Sequence, residues 1–214
     1  MKQRLVPLTL AALLVACVGV MTAPSSSAPA SKSVDAGQVE RLQRVMIPLI
    51  KGMNHPLPLA KVRVGVSDDD HINAANAGSA QFIVTRGLLE KTNDDHLRGV
   101  LAHELAHEDL GHVAKTQTLG TGVNIGIALL EQIFPGSSAV TPLAGKLIVN
   151  RYTQTEEYAA DRHGADILQR AGYRREIMAD TLTWLLHVEG GGSGGYVATH
   201  PATDERIQAL HRTR

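Results

Sequence analysis

The segment His103-Glu104-Leu105-Ala106-His107 constrains the fold of this 214-residue chain more than any other. On an α-helix, residues i and i+4 lie one above the other on the same face. Two imidazoles so placed can bind one Zn²⁺, and the glutamate between them can act on a water at the same ion. The pattern therefore requires a helix through residues 103–107 and a second element that brings further donors to it. Five residues with two free positions also arise as a pair of surface histidines, so the context decides between the readings.

The context is helical. Thr92-Asn93-Asp94-Asp95 supplies an N-cap. Thr92 with Asp95 has the spacing of a capping box, with Asp in place of Glu. Leu97, Val100, Leu101 and Leu105 follow at helical spacing. Gly99 interrupts this run, at a cost of about 1 kcal/mol relative to Ala.

A catalytic zinc takes three protein ligands and keeps one position open. The H-E-x-x-H-x-x-G-x-x-H pattern is excluded, because Leu110 and Val113 stand where it needs Gly and His. His112, five residues past His107, falls about 140° round a continuing helix. It reads as a hydrogen-bonded structural histidine facing elsewhere. The third ligand is then expected from a later helix, and Glu156-Glu157-Tyr158-Ala159-Ala160-Asp161 is the candidate. Glu157 and Asp161 are again i and i+4. Glu157 can bind the metal while Asp161 accepts a hydrogen bond from a ligating histidine and fixes its tautomer. Ala159 and Ala160 allow close helix approach. Glu156, about 100° away, is the alternative ligand. By itself, this acidic run also reads as a solvated helix start.

HELAH, EYAAD and the later Thr199-His200-Pro201 with Arg206-Ile207 together resemble the HtpX-like zinc metallopeptidases, gluzincins that include the CaaX-prenyl endopeptidases. The resemblance runs from about Val62 to the C-terminus and is nearest to the small lipoprotein-type bacterial members. It implies a zincin-like domain with one Zn²⁺ per chain held by His103, His107 and Glu157, with Glu104 as the catalytic base. It implies a strand pair over Ile72–Gly78 and Phe82–Leu89 that leads into a short helix. The run Ala74-Ala75-Asn76-Ala77-Gly78 departs from the aromatic and Pro-Gly-Gly often found there. The resemblance also places His200 near the metal. There it can stabilise an oxyanion as a second catalytic group, or occupy the open position and hold a resting enzyme shut. A bland alternative is a cap for the helix at 203–212. Pro201 restricts His200 to extended conformations. Arg206 reads as a structural ion-pair partner.

Lys2 and Arg4 precede a twelve-residue apolar run from Leu5 to Ala16, the layout of a secretory signal peptide. Leu14-Val15-Ala16-Cys17 resembles a bacterial lipobox, which makes Cys17 the expected lipidation site. Cys17 is the only cysteine, so no internal disulfide is possible. Two rivals are cleavage after Ala30, releasing a soluble secreted protein, and an uncleaved run to Met21, short for a membrane span. All three place the domain outside the cytoplasm. Val18 after the cysteine favours the outer membrane by resemblance to known lipoproteins. The expected organisation is a signal peptide at 1–16, a lipid-anchor cysteine and flexible Ser/Ala/Pro linker at 17–33, and a metallopeptidase domain at 34–214.

Charge adds an exclusion. Of 21 basic residues the leader takes Lys2 and Arg4, leaving 19 against 21 acidic, a net −2. With no basic patch and few aromatics, nucleic-acid binding is excluded. The expected fold is α+β and mainly helical, with a small β-sheet. Val34 to Ile50 reads as a helix weakened by Pro48, and Lys61 to Val66 as a strand. Residues 80–85 read as a second strand which, at a sheet edge near the zinc, can pair with an extended substrate. Leu119 to Phe134 reads as a helical cover, Gln154 to Arg170 as the Glu157 helix, and Arg174 to Val188 as a helix burying Trp184 and Leu185. Gly190 to Gly195 forms a flexible loop leading to Tyr196, a second oxyanion candidate. These parts predict an endopeptidase acting on polypeptides, with misfolded envelope proteins implied by resemblance alone. Its rivals are a membrane-tethered chaperone or assembly factor on the same zinc fold, and a metal-free binding module.

Overall fold

The computed structural model describes residues 35–113, 123–124, 127–129, 146–147, 152–189 and 195–212. By its contacts the chain divides into Met1–Ala30 and Ser31–Arg214, and every described residue belongs to the second unit. The leader, Cys17, the linker and Gly190 to Gly194 lie outside the described residues.

Helix α1 (Ala36–Lys51) buries Leu42, Val45, Met46, Leu49 and Ile50, an apolar stripe at helical spacing. It runs through Pro48, which stands in its last turn, and ends at Gly52. Three short strands follow: β1 (Arg63–Ser67), β2 (Ala74–Gly78) and β3 (Gln81–Thr85). β3 pairs parallel with β1 and antiparallel with β2. The sheet order is β2-β3-β1, continued on the β1 side by β5 (Ile127–Leu129). β4 (Val123–Asn124) and β6 (Lys146–Leu147) form a separate pair.

The sheet corrects one expectation. The strand at 81–85 is interior, and β2 is the outer strand beside the histidine helix. The hairpin between β2 and β3 turns through Ser79 and Ala80, with φ of 55° and 61°, a left-handed conformation unusual for residues with a Cβ.

Short α2 (Arg86–Lys91) is capped by the Thr85 hydroxyl and leads into α3 (Asp94–Asp109). α3 is the central element. It packs against α1, β2, α4 (Gln154–Arg170) and α5 (Ile177–Glu189), and every residue from Gly99 to His107 is buried. α5 comes close at Gly99: a Cβ there would stand 2.1 Å from Thr181 Oγ1. Leu185 is buried as expected, whereas Trp184 is half-buried and stacks on His96 at 4.3 Å. Two C-terminal pieces, α6 (Tyr196–Thr199) and α7 (Asp204–Arg212), close the domain. The helix expected over 119–134 is not found where that stretch is described, since Val123–Asn124 and Ile127–Leu129 are strands; the rest lies outside the described residues. Among the described residues no helix is long and apolar enough to cross a membrane.

Candidate metal centre

α3 begins one residue later than the capping pattern suggests. Asn93 is the N-cap, its side chain accepting from the His96 N–H at 2.8 Å. Thr92 instead ends α2 and donates its hydroxyl to the Leu88 carbonyl. Asp94 and Asp95 then occupy the positive end of the helix dipole. The register carries His103 and His107 to one buried face, 1% and 0% exposed.

α4 starts with a full capping box between Thr153 and Glu156. Glu156, the alternative ligand, is used there, its carboxylate accepting from the Thr153 N–H at 2.9 Å. The next residue, Glu157, is buried and faces α3.

Three donors converge. His107 Nε2 stands 2.9 Å from His103 Nε2. Glu157 Oε2 is 3.3 Å from His103 Nε2, and Oε1 is 3.6 Å from His107 Nε2. Ligands about 2.0–2.1 Å from a tetrahedral zinc would be spaced by about 3.3–3.4 Å, so this donor triangle fits the ion in type and size. His200 joins the cluster: ligand atoms of His103, His107, Glu157 and His200 all lie within 4.8 Å of one another. The His200 imidazole sits between two carboxylates, Nδ1 3.0 Å from Glu157 Oε1 and Nε2 3.4 Å from Glu104 Oε1.

Electrostatics favour positive charge here. Burial pushes His103 down, but the Asp161 and Glu157 carboxylates outweigh it and hold its pKa at about 9. Burial would raise Glu157, yet hydrogen bonds from His103, His107 and His200 bring it below the ordinary carboxylate value. His107 is pushed well below its usual value by burial, so it is neutral, as a ligating imidazole must be. Glu104 is raised by burial, against the pull of His200 and His103. The residue is only 1% exposed, and its polar neighbours are the His200 imidazole, Nε2 3.4 Å from Oε1, and the Tyr196 hydroxyl.

A second layer holds these groups. Asp161 Oδ1 lies 3.1 Å from His103 Nδ1. Arg206, 1% exposed, grips Asp161 with two bonds of 2.7 and 2.6 Å. Its third nitrogen reaches Glu157 Oε2 at 2.8 Å and the Pro201 carbonyl at 2.7 Å. Tyr196 is fully buried and stacks on His200 at 4.7 Å. Burial drives its hydroxyl well above the usual pKa, which keeps it a proton donor. Glu189 anchors this arm by accepting from the Val197 N–H at 2.8 Å and the Tyr196 N–H at 3.3 Å.

Three contributors escaped the sequence reading. Tyr152 stacks on His107 at 3.7 Å, and nothing in its local pattern announces it. Asn76 donates to the Glu104 carbonyl at 3.3 Å and to Glu108 at 2.9 Å, and Glu108 accepts from Ala80 N–H at 3.0 Å, pinning the hairpin turn to α3. An Asn at an inward position of an alternating strand was the available signal. His112 is the third: it does not face elsewhere but lies against His107, Nδ1 to Nδ1 at 2.9 Å. The helix it was projected along ends at Asp109.

Comparison with known proteins agrees with this geometry. The family model described as Peptidase family M48 matches residues 36–214. A "Protease HtpX homolog" of Salinibacter ruber is 29% identical over 188 residues, 72% of this chain and 68% of the relative. "Metalloprotease LoiP" of Escherichia coli is 28% identical over 144 residues, 65% of this chain and 57% of the relative. A "Protease HtpX homolog" of Bacillus subtilis is 28% identical over 184 residues, 69% of this chain and 62% of the relative. The aligned regions thus span between 57% and 68% of these relatives.

Proposed function

We propose, for a chain that belongs to peptidase family M48, that it is a zinc-dependent endopeptidase. The observation that carries this is the buried convergence of His103 Nε2, His107 Nε2 and the Glu157 carboxylate, with the buried Glu104 carboxylate beside them. His103, His107 and Glu157 would hold the ion. When bound, Zn²⁺ supplies Lewis acidity toward a peptide carbonyl and lowers the pKa of water to about 7.

The chain's own groups do the rest. Glu104, raised by burial, takes the proton from the water that adds to the scissile carbonyl. It then returns that proton to the amine nitrogen as the C–N bond breaks. Tyr196, held protonated, is a hydrogen-bond donor for the oxyanion, and His200 is a second candidate from the same arm. Strand addition of an extended substrate falls to β2, the outer strand, rather than β3.

The finer biology belongs to the same proposal. The sequence Leu14-Val15-Ala16-Cys17 behind a basic, apolar leader supports a lipid tether at Cys17 and a periplasmic setting, with release after Ala30 as the alternative. In that setting the substrates would be misfolded envelope proteins. Incorporation of labelled palmitate into wild type but not Cys17→Ala tests the tether.

The decisive experiment is casein cleavage by wild type and Glu104→Gln, with and without chelator. Cleavage should disappear in the variant and in chelator, while the variant keeps about one zinc per chain. Equal cleavage by both proteins would show that Glu104 is not the base. A biological activity that survives Glu104→Gln would favour the chaperone reading.

A further inference from the structure

His107 is held from two sides by residues outside the ligand cluster. Tyr152 stacks on its face at 3.7 Å, with 17° between the planes. His112 meets its edge, the ring centroids 5.0 Å apart and the planes at 65°. The backbone explains how His112 arrives there. α3 stops at Asp109, Leu110 is still right-handed, and Gly111 takes φ 69°. A left-handed residue just past a helix reverses the chain, and glycine does so without steric cost. The reversal carries His112 back to a position 6% exposed beneath His107.

The contact is between two like atoms, Nδ1 and Nδ1, at 2.9 Å. A hydrogen bond there requires one nitrogen to carry the proton and the other to offer its lone pair. His107 Nε2 is the atom that faces His103 and Glu157. A neutral imidazole that donates electrons through Nε2 has its single proton on Nδ1. That proton points at His112.

We propose that His112 is the positioning residue that sets the metal-binding tautomer of His107: its unprotonated Nδ1 accepts the His107 Nδ1–H and leaves the Nε2 lone pair for the cation. The inference rests on the reading of His107 as a ligand. It makes the two ligating histidines unequal. His103 is oriented by a carboxylate, Asp161, and His107 by a neutral imidazole. The partner on His107 therefore adds no negative charge to the centre.

The test uses the full chain. Zn²⁺ affinity is measured by competition with a chromophoric chelator for wild type, His112→Phe and His112→Asn, with a thermal melt of each metal-free protein. His112→Phe should weaken zinc binding about 10–100-fold, the range for loss of an outer partner to a ligating histidine. His112→Asn, which restores an acceptor oxygen, should recover part of that loss. Imidazole ¹⁵N spectra of the zinc-loaded wild type need no variant. They should show His107 protonated at Nδ1 and His112 Nδ1 unprotonated. Zinc affinity of a folded His112→Phe within twofold of wild type overturns the proposal, as does a proton on His112 Nδ1. Failure of the wild type itself to bind zinc is a different result, and it overturns the metal-site reading together with this one.

Discussion

Replacing Arg206 with Met should be the most destabilising single change outside the hydrophobic core. The side chain is buried and makes four polar contacts: two to Asp161, one to Glu157 and one to the Pro201 carbonyl. Its partners are buried too, Asp161 at 1% and Glu157 at 3% exposure. Removing one partner of a buried ion pair costs about 3–5 kcal/mol, because a charge is left without compensation. For a domain of this size each kcal/mol lowers Tm by about 2–4 °C, so the expected drop is roughly 6–20 °C. Scanning calorimetry on the metal-free chain reads it directly. Two further variants separate charge from packing. Arg206→Lys keeps the charge but not the planar fork, and should fall between wild type and Met. Arg206→Met combined with Asp161→Asn removes both ends of the main pair and should be more stable than Arg206→Met alone. Saturating zinc should narrow the gap, since the ion gives Glu157 another positive neighbour. A metal-free Arg206→Met that melts within about 2 °C of wild type would refute the reasoning, because no uncompensated charge could then have been created.

Other perturbations follow from local geometry. Gly99→Ala gains helix propensity of about 1 kcal/mol, but its Cβ would stand 2.1 Å from Thr181 Oγ1; denaturant unfolding should show a net loss of about 1–3 kcal/mol, and a gain would mean that α3 and α5 are not in close contact. Replacing Ser79-Ala80 with Asn-Gly suits two successive left-handed residues and should raise the unfolding free energy by about 1 kcal/mol, read as a higher urea midpoint, whereas a lowered midpoint would contradict the strained turn. Asp94 is held below its ordinary pKa by the Arg41 guanidinium; Asp109, which burial alone would raise, is lowered by His163 and by the Asn54 and His55 N–H groups. Folded values below unfolded ones mean that this stabilisation is complete above about pH 4 and is lost as pH falls through the depressed values. Asp109→Asn should flatten the acid limb of stability against pH, and an unchanged slope would remove Asp109 from the account.

What the sequence reveals about this molecule depends on distance along the chain. The His103/His107 and Glu157/Asp161 pairs on α3 and α4 were legible because i and i+4 spacing determines a face without knowledge of the rest of the fold. The helices at 36–51, 154–170, 177–189 and 204–212 were expected to within three residues at either end. The cap of α3 was misplaced by one residue, since Thr92 and Asn93 are both able to cap, and the end of α2 claimed the threonine. His112 was misread because a helical angle was carried past the point where Gly111 breaks the helix. The interior place of β3 was illegible for another reason. Strand order is set by which edges meet after folding, and β1 and β3, separated by β2 in the chain, pair in parallel.

The charge balance of the centre shows why its second layer takes this form. Glu104, Glu157 and Asp161 are three buried carboxylates, and among the described residues Arg206 is the guanidinium set beside them. With the imidazoles neutral, as ligating imidazoles are, three negatives against one positive leave a formal −2, the charge a divalent cation would cancel. Arg206 spends its contacts on Asp161 and Glu157, so the outer carboxylate and the ligand are already balanced in part. Arg206 makes no contact with Glu104, whose neighbour is the His200 imidazole, Nε2 3.4 Å from Oε1. The guanidinium thus holds Asp161 and Glu157, and Glu104 is left to the His200 imidazole. The same economy accounts for His112. A carboxylate beneath His107 would add a further negative charge to a site already at −2, whereas a neutral imidazole orients the ring without altering the balance.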